Sequence, residues 1–195
     1  MRSFACLFLL VAACGGNAVD AVDAGVCSDA VVPFAKSSAD RVLHFDLSLG
    51  CVAITFDDAI SIDARGNIQT VLDTWAGIPG SKLCFGAPTL STLDPDDPSE
   101  RRIHFRPVDP SNPTANTTAV AYVNNTGVIV FNVVRFSSAQ GGNVALLASL
   151  VGSALGLGYA PAGSDSVMAQ PASLTKPTAH DRAAVVALYG GTCQF

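Results

Sequence analysis

The sequence predicts an α+β fold, and three observations lead to this class. Short segments in which apolar and polar residues alternate, such as Leu43 to Leu47 and Val52 to Phe56, are typical of half-buried strands. The segment Ile60 to Ala76 instead has apolar residues at helical spacing, and Val144 to Leu155 is apolar nearly all round, as in a buried helix. With 195 residues, 49% of them hydrophobic, the chain can form one domain with a sizeable core.

The predicted elements follow a definite order. They are strands over 43–47 and 52–56, a helix over 60–76, strands over 83–85 and 102–106, a hairpin of 119–123 and 128–134, and helices over 144–155 and 178–189. Gly77 to Gly80 end the first helix, and Pro107 stops the strand before it. Thr178 is a candidate N-cap of the last helix, and Gly190 follows its end.

Composition excludes two classes of function. The net charge is −5 with only 11 Lys and Arg residues, so the chain lacks the basic surface that nucleic-acid binding requires. No apolar run reaches the roughly 18 residues that span a bilayer, so we expect no transmembrane helix.

The N-terminus has the pattern of an export signal. A charged start at Arg2 and an apolar run from Phe4 to Leu10 predict a signal peptide over residues 1–13. The sequence Leu10-Val11-Ala12-Ala13-Cys14 resembles the bacterial lipobox, in which the cysteine is lipidated and becomes the new N-terminus; an ordinary signal with an incidental cysteine is the alternative. Gly15 after the cysteine resembles outer-membrane sorting. We therefore expect a lipid bilayer as partner, a tether over 14–40 and a domain over 41–195 at the bacterial envelope.

Four cysteines remain after Cys6 and Cys14 are set aside. An even number in an exported chain predicts two disulfides, and three connectivities are possible. We favour Cys51–Cys84, which would close a strand-helix-strand unit, and Cys27–Cys193, which would tie the end of the tether to the C-terminus. Zinc binding by these thiols is the rival, although no Cys-x-x-Cys spacing supports it.

Several motifs in the second half of the chain carry a family resemblance. They are Ala154-Leu155-Gly156-Leu157-Gly158, Ser166-Val167-Met168, and Asp181 followed by Leu188-Tyr189-Gly190. Together with the order of elements over residues 43–190, they resemble the matrixin-type metzincins, zinc peptidases whose helix H-E-x-x-H-x-x-G-x-x-H leads to a Met-turn. The resemblance implies a twisted, mostly parallel sheet with an antiparallel edge strand, two helices packed on it and a C-terminal helix. It also places Gly156 at the family's glycine and Met168 in the Met-turn.

The residues that would perform the chemistry are replaced. Ser149, Leu150, Ser153 and Tyr159 stand at the positions of the first His, the Glu, the second His and the third His. A zinc peptidase needs three imidazole ligands and a carboxylate that accepts a proton from zinc-bound water. Serine hydroxyls are poor zinc ligands, a phenol would have to ionise from a pKa of about 10, and leucine exchanges no proton. We therefore predict a pseudoenzyme that has no catalytic residues, binds no metal and needs no cofactor.

Other polar residues offer weaker alternatives. His44, His104 and His180 lie on three separate elements, the first two on polar strand faces, so we expect solvated side chains. Ser149 and Ser153 either bond the helix backbone four residues back or share a hydrogen-bond cluster with Tyr159. A serine hydrolase built from Ser153, His180 and Asp181 would lack the usual G-x-S-x-G elbow.

The acidic loop allows two interpretations. Its carboxylates, Asp94, Asp96, Asp97 and Glu100, could bind calcium, as loops of the resembled family do. Its prolines and the missing calcium-loop spacing favour a solvated turn.

We expect a catalytically silent envelope lipoprotein that binds extended peptides. The resemblance places such a peptide against an edge strand at about Ala119 to Val123, with a preference set by a pocket near Tyr159 and Met168. The alternatives are an active zinc endopeptidase, the only case that requires zinc, and a purely structural lipoprotein.

Overall fold

The architecture is α+β, as the sequence predicts. A computed structural model describes residues 31–91, 101–108 and 117–191. Within these ranges, five strands form one sheet: β1 (Ala53–Phe56), β2 (Thr89–Leu90), β3 (Arg102–Pro107), β4 (Thr118–Val123) and β5 (Ile129–Phe136). The same described residues include three α-helices: α1 (Ile62–Ala76), α2 (Val144–Ala154) and α3 (Ala179–Tyr189).

The sheet is mostly parallel and has one antiparallel edge. Its order is β2-β1-β3-β5-β4, in which β1 pairs in parallel with β2 and β3, and β3 in parallel with β5. The hairpin partner β4 runs antiparallel to β5, with Val120 opposite Val133. Among the described strands β4 therefore ends the sheet, which confirms the predicted antiparallel edge.

The helix ends follow the capping chemistry of the sequence. The Ser61 hydroxyl accepts a hydrogen bond from the Ala64 amide at the start of α1, and the Asn143 side chain accepts one from the Leu146 amide at the start of α2. Thr178 forms a capping box with Asp181 at the start of α3, as predicted for an N-cap. Each helix thus satisfies part of its first turn of free amides.

The core lies between the sheet and the helices. Ile54, Ile103 and Val134 contribute from the strands, while Trp75 of α1 is fully buried against α2. The Trp75 indole donates a hydrogen bond to the Ala148 carbonyl of α2 over 3.3 Å. Eight of the 11 residues of α2 are buried, in agreement with its apolar sequence.

Two predicted strands are wrong in extent. Residues 43–47 form only an isolated bridge, between His44 and Val128, and a short 3-10 helix covers Leu47–Leu49. Near residue 85 the pairing is likewise a single bridge, from Val52 to Phe85, and the paired strand β2 lies at Thr89–Leu90. The turn-rich composition of 89–100 concealed this strand because turn residues flank it closely.

The folded region begins before the predicted boundary at residue 41. Val32 is fully buried, and Phe34 forms an antiparallel bridge with Leu157. The Ala35 amide donates to the Gly156 carbonyl over 2.7 Å. Residues 31–36 are thus packed on the domain, and this part of the predicted tether is corrected.

One predicted disulfide is present. Cys51 and Cys84 are joined, with Cα atoms 4.8 Å apart and a sequence separation of 33. Cys14, Cys27, Cys193, the predicted signal peptide and the acidic loop lie outside the described residues. Within the described ranges, no helix combines the length and apolar character needed to cross a bilayer.

Candidate functional site

The C-terminal end of α2 turns sharply at the glycine expected from the resemblance. Gly156 has φ +93°, and a Cβ there would collide with the backbone carbonyl oxygen of Leu43. Only glycine fits this position without strain. The Leu157 amide returns to the Gly152 carbonyl over 3.0 Å, which closes the helix. The turn brings Tyr159 to the end of α2.

The first two of the four replaced positions are buried. Ser149 is 2% exposed, and its hydroxyl accepts a hydrogen bond from the side-chain amide of Gln170 over 3.1 Å. Leu150 packs in the hydrophobic core. A carboxylate at position 150 would therefore be buried among apolar side chains.

The other two positions are more open. Ser153 is half-buried on α2, and the Tyr159 side chain is 56% exposed. Among the described residues no hydrogen bond joins Ser149, Ser153 and Tyr159 to one another. The alternative of a hydrogen-bond cluster in this space is therefore wrong.

These four residues do not fit a zinc ion. Ser149 uses its hydroxyl in a protein contact, Leu150 supplies no donor atom and the Tyr159 side chain is exposed to solvent, so the position lacks the nitrogen and carboxylate chemistry that zinc selects. In the described part of the chain, no group of three His, Cys, Asp or Glu residues could hold a metal ion.

The segment 166–168, which the resemblance places in the Met-turn, is held by a buried carboxylate. Asp181 accepts hydrogen bonds from the Ser166 hydroxyl at 2.5 Å and from the Val167 amide at 3.0 Å, and the Thr178 amide donates to it at 2.8 Å. The Met168 amide in turn donates to the Ser166 hydroxyl over 2.9 Å. This carboxylate fixes the turn beneath α2 and caps α3 at the same time.

Met168 is fully buried, so it cannot line an open specificity pocket. A Cβ on Gly152 would collide with its sulfur, which places the methionine directly under α2. Only Tyr159 of the predicted pair is available to a ligand.

The residues of the serine hydrolase alternative do not form a catalytic arrangement. Asp181 is committed to the turn and to the helix cap, and Ser153 lies on α2 without a hydrogen bond to another described side chain. A serine nucleophile needs a base within hydrogen-bond reach and a third group that orients the base.

The histidine predictions need one correction. His104 is 2% exposed, and its Nδ1 lies 2.9 Å from the Thr55 hydroxyl of the neighbouring strand. It is a buried residue rather than a solvated one. His44 and His180 are half-buried on separate elements.

A second feature was not singled out from the sequence. A cavity of about 660 Å³ lies where three parallel strands end, and it is lined by charged and hydroxyl side chains that include Asp57, Arg106 and Ser138. The sequence signal for this cavity is the position of its residues, because each of them stands at or just after the end of a strand.

No protein-family model and no curated protein matches this sequence.

Proposed function

We propose that the protein is a catalytically silent, lipid-anchored relative of the matrixin peptidases that binds extended peptides along β4. The position of β4 at the end of the described sheet carries this proposal. One long side of β4 pairs with β5, so the amides and carbonyls of the other side are directed away from the sheet. Addition of a peptide strand uses these backbone groups and needs no metal.

The rigidity of the edge supports peptide binding. Ala119, Ala121 and Val123 pack against the hydrophobic core, while the Tyr122 ring lies 5.5 Å from that of Phe131. These contacts hold the strand extended before a ligand arrives, which reduces the entropy lost on binding. An open edge also invites aggregation, so its retention favours a partner that uses it.

Loss of the catalytic groups leaves this surface intact. The four replaced positions lie on α2 and the turn after it, whereas the binding groups of β4 are backbone atoms. The exposed Tyr159 ring would contact side chains of a bound peptide and set a preference among sequences.

Two prolines test the edge directly. Consecutive residues of an antiparallel strand point their amides alternately toward the partner strand and away from it. Of Val120→Pro and Ala121→Pro, one therefore removes an outward amide and the other breaks the ladder to β5. Circular dichroism and the thermal midpoint identify the variant that remains folded.

We expect the parent to bind members of a broad peptide library by fluorescence anisotropy. The folded proline variant should lose at least about tenfold in affinity, and Val120→Thr, which keeps the amide and the side-chain shape, should bind like the parent. Tyr159→Ala should change the sequence preference. Library binding at background, or equal binding by the folded proline variant, would favour the structural lipoprotein instead.

The anchor has a separate test. Cys14→Ser should move the protein from the membrane pellet to the soluble fraction, since the lipid on Cys14 would be lost. A variant that stays in the pellet contradicts the lipobox interpretation without affecting the peptide proposal.

A further inference from the structure

The cavity of about 660 Å³ lies at the carboxyl ends of β1, β3 and β5. Asp57 follows β1, Arg106 stands near the end of β3, and Ser137 and Ser138 follow β5. In open sheets with parallel strands, ligands characteristically bind at this edge, where side chains from neighbouring strands converge. The volume is that of a small-molecule site.

Arg106 is the cationic residue among those that line the cavity. Its side chain is half-buried, and among the described residues it makes no hydrogen bond or ion pair. A guanidinium group removed partly from water without a partner is unfavourable, and an anion that restores its hydrogen bonds would offset this cost. The planar fork of donors matches the two oxygens of a carboxylate.

Asp57 lines the same cavity with the opposite charge. One of its carboxylate oxygens accepts the Ala59 amide over 2.8 Å, and the other makes no hydrogen bond within the described part of the chain. No ion pair joins Asp57 to Arg106, although both face the cavity. The two charged residues therefore line the same cavity without pairing with each other.

Hydroxyl and apolar groups complete the lining. The Ser138 side chain is exposed at the rim, and Pro107 and Val108 add apolar surface. A ligand with one anionic end, one cationic end and an apolar side chain would satisfy all of these groups.

We propose that this cavity binds a zwitterionic α-amino acid, with Arg106 on its carboxylate and Asp57 on its ammonium group. The site shares no residue with the β4 edge and does not depend on peptide binding there. Two opposite charges that line one cavity without neutralising each other are the observation that favours a zwitterion over a simple anion.

The test uses leucine and its two halves as probes. L-leucine, 4-methylpentanoate, which lacks the ammonium group, and 3-methylbutylamine, which lacks the carboxylate, are titrated into the purified protein by calorimetry. We expect leucine to bind at least about tenfold more tightly than either analogue, since each analogue leaves one charged group of the cavity without its partner. Arg106→Gln should reduce leucine affinity at least tenfold. Asp57→Asn should remove the advantage of leucine over 4-methylpentanoate.

Controls keep these results interpretable. Arg41→Gln removes an exposed arginine outside the cavity and should bind leucine like the parent. If Arg106→Gln fails to fold, amide chemical shifts of the parent decide: leucine should perturb residues around 57–59, 106–108 and 137–138. Equal binding of leucine and 4-methylpentanoate, competition by inorganic phosphate at similar concentration, or perturbations elsewhere would overturn the proposal.

Discussion

Tyr189 joins three parts of the chain through one buried hydroxyl. It donates a hydrogen bond to the Leu155 carbonyl at the end of α2 over 2.6 Å and accepts one from the Phe45 amide over 3.2 Å. Burial raises the pKa of this phenol well above its ordinary value. The residue therefore holds α3, the α2 end and the segment before β1 in fixed relation.

Tyr189→Phe should lower the free energy of unfolding by about 1–3 kcal/mol, because it leaves a buried amide and a buried carbonyl without this partner. Urea denaturation at pH 7 measures the change. Tyr159→Phe removes an exposed hydroxyl and should stay within about 0.5 kcal/mol of the parent.

Because of Tyr189, we also expect the free energy of unfolding to depend on pH in the alkaline range. The folded state keeps the phenol proton at pH values where the unfolded chain, with a tyrosine pKa of about 10, loses it. The stabilisation is complete below pH 10 and declines as the pH rises above it. Tyr189→Phe should lack this component, so its unfolding free energy should fall less steeply above pH 10. Parallel slopes for parent and variant would contradict the assignment.

For His104, the alternation of apolar and polar residues predicts the wrong environment. Alternation along β3 predicts one dry and one wet face, yet Arg102, His104 and the neighbouring Thr55 are all buried on the face opposite Ile103 and Phe105. Central strands of parallel sheets are covered on both faces, so polar residues there are enclosed. The sequence could not reveal this because the pairing of β1 with β3 is set by the tertiary fold.

At the level of the helices, α2 packs closely on the residues beneath it. The sequence predicts the helix and its burial, but not that Gly152 lies against Met168 and the Trp75 ring. Gly156 was more accessible to prediction, since the resemblance supplied the turn that its positive φ allows.

Gly152→Ala should destabilise the protein despite the better helix propensity of alanine. The added Cβ would collide with the Met168 sulfur and lie 3.0 Å from the Trp75 ring, and overpacking of this kind costs about 1–3 kcal/mol. Gly66→Ala is the matched control on α1, where a Cβ meets nothing within 4 Å, and it should stabilise by about 0.5–1 kcal/mol. Thermal and urea unfolding of both variants measure the difference, and a stabilised Gly152→Ala would show that the contact beneath α2 is looser.

At the scale of the whole molecule, the disulfide links β1 to the chain beyond α1. Cys51 precedes β1, and Cys84 is adjacent to the bridge at Phe85. Closing a loop of this length should stabilise the fold by about 3–4 kcal/mol in the chain-entropy model. Replacing both cysteines by serine should lower the unfolding free energy by that amount, and free thiols at these positions in non-reducing peptide mapping would contradict the pairing.

The order of strands lies beyond what periodicity can predict. Alternation located β3, β4 and β5 within a few residues, but parallel pairing depends on contacts between distant segments, and only the resemblance implied it. The short bridges at His44 and Phe85 show the same limit, because neighbouring strands decide how far a segment pairs.

Zinc should have no effect on the stability of the whole fold. With Leu150 in the core, where the resemblance would place a glutamate, folding without metal buries no carboxylate at this position. We expect equal thermal midpoints with chelator and with added zinc, and no cleavage of casein.

A positive control introduces the residues of the resembled family: Ser149→His, Leu150→Glu, Ser153→His and Tyr159→His together. If α2 and the Gly156 turn present these positions as the resemblance implies, this variant should be destabilised by chelator and regain stability with zinc. A zinc-dependent midpoint or chelator-sensitive cleavage in the parent would instead support the active endopeptidase, with zinc held by groups other than these four residues.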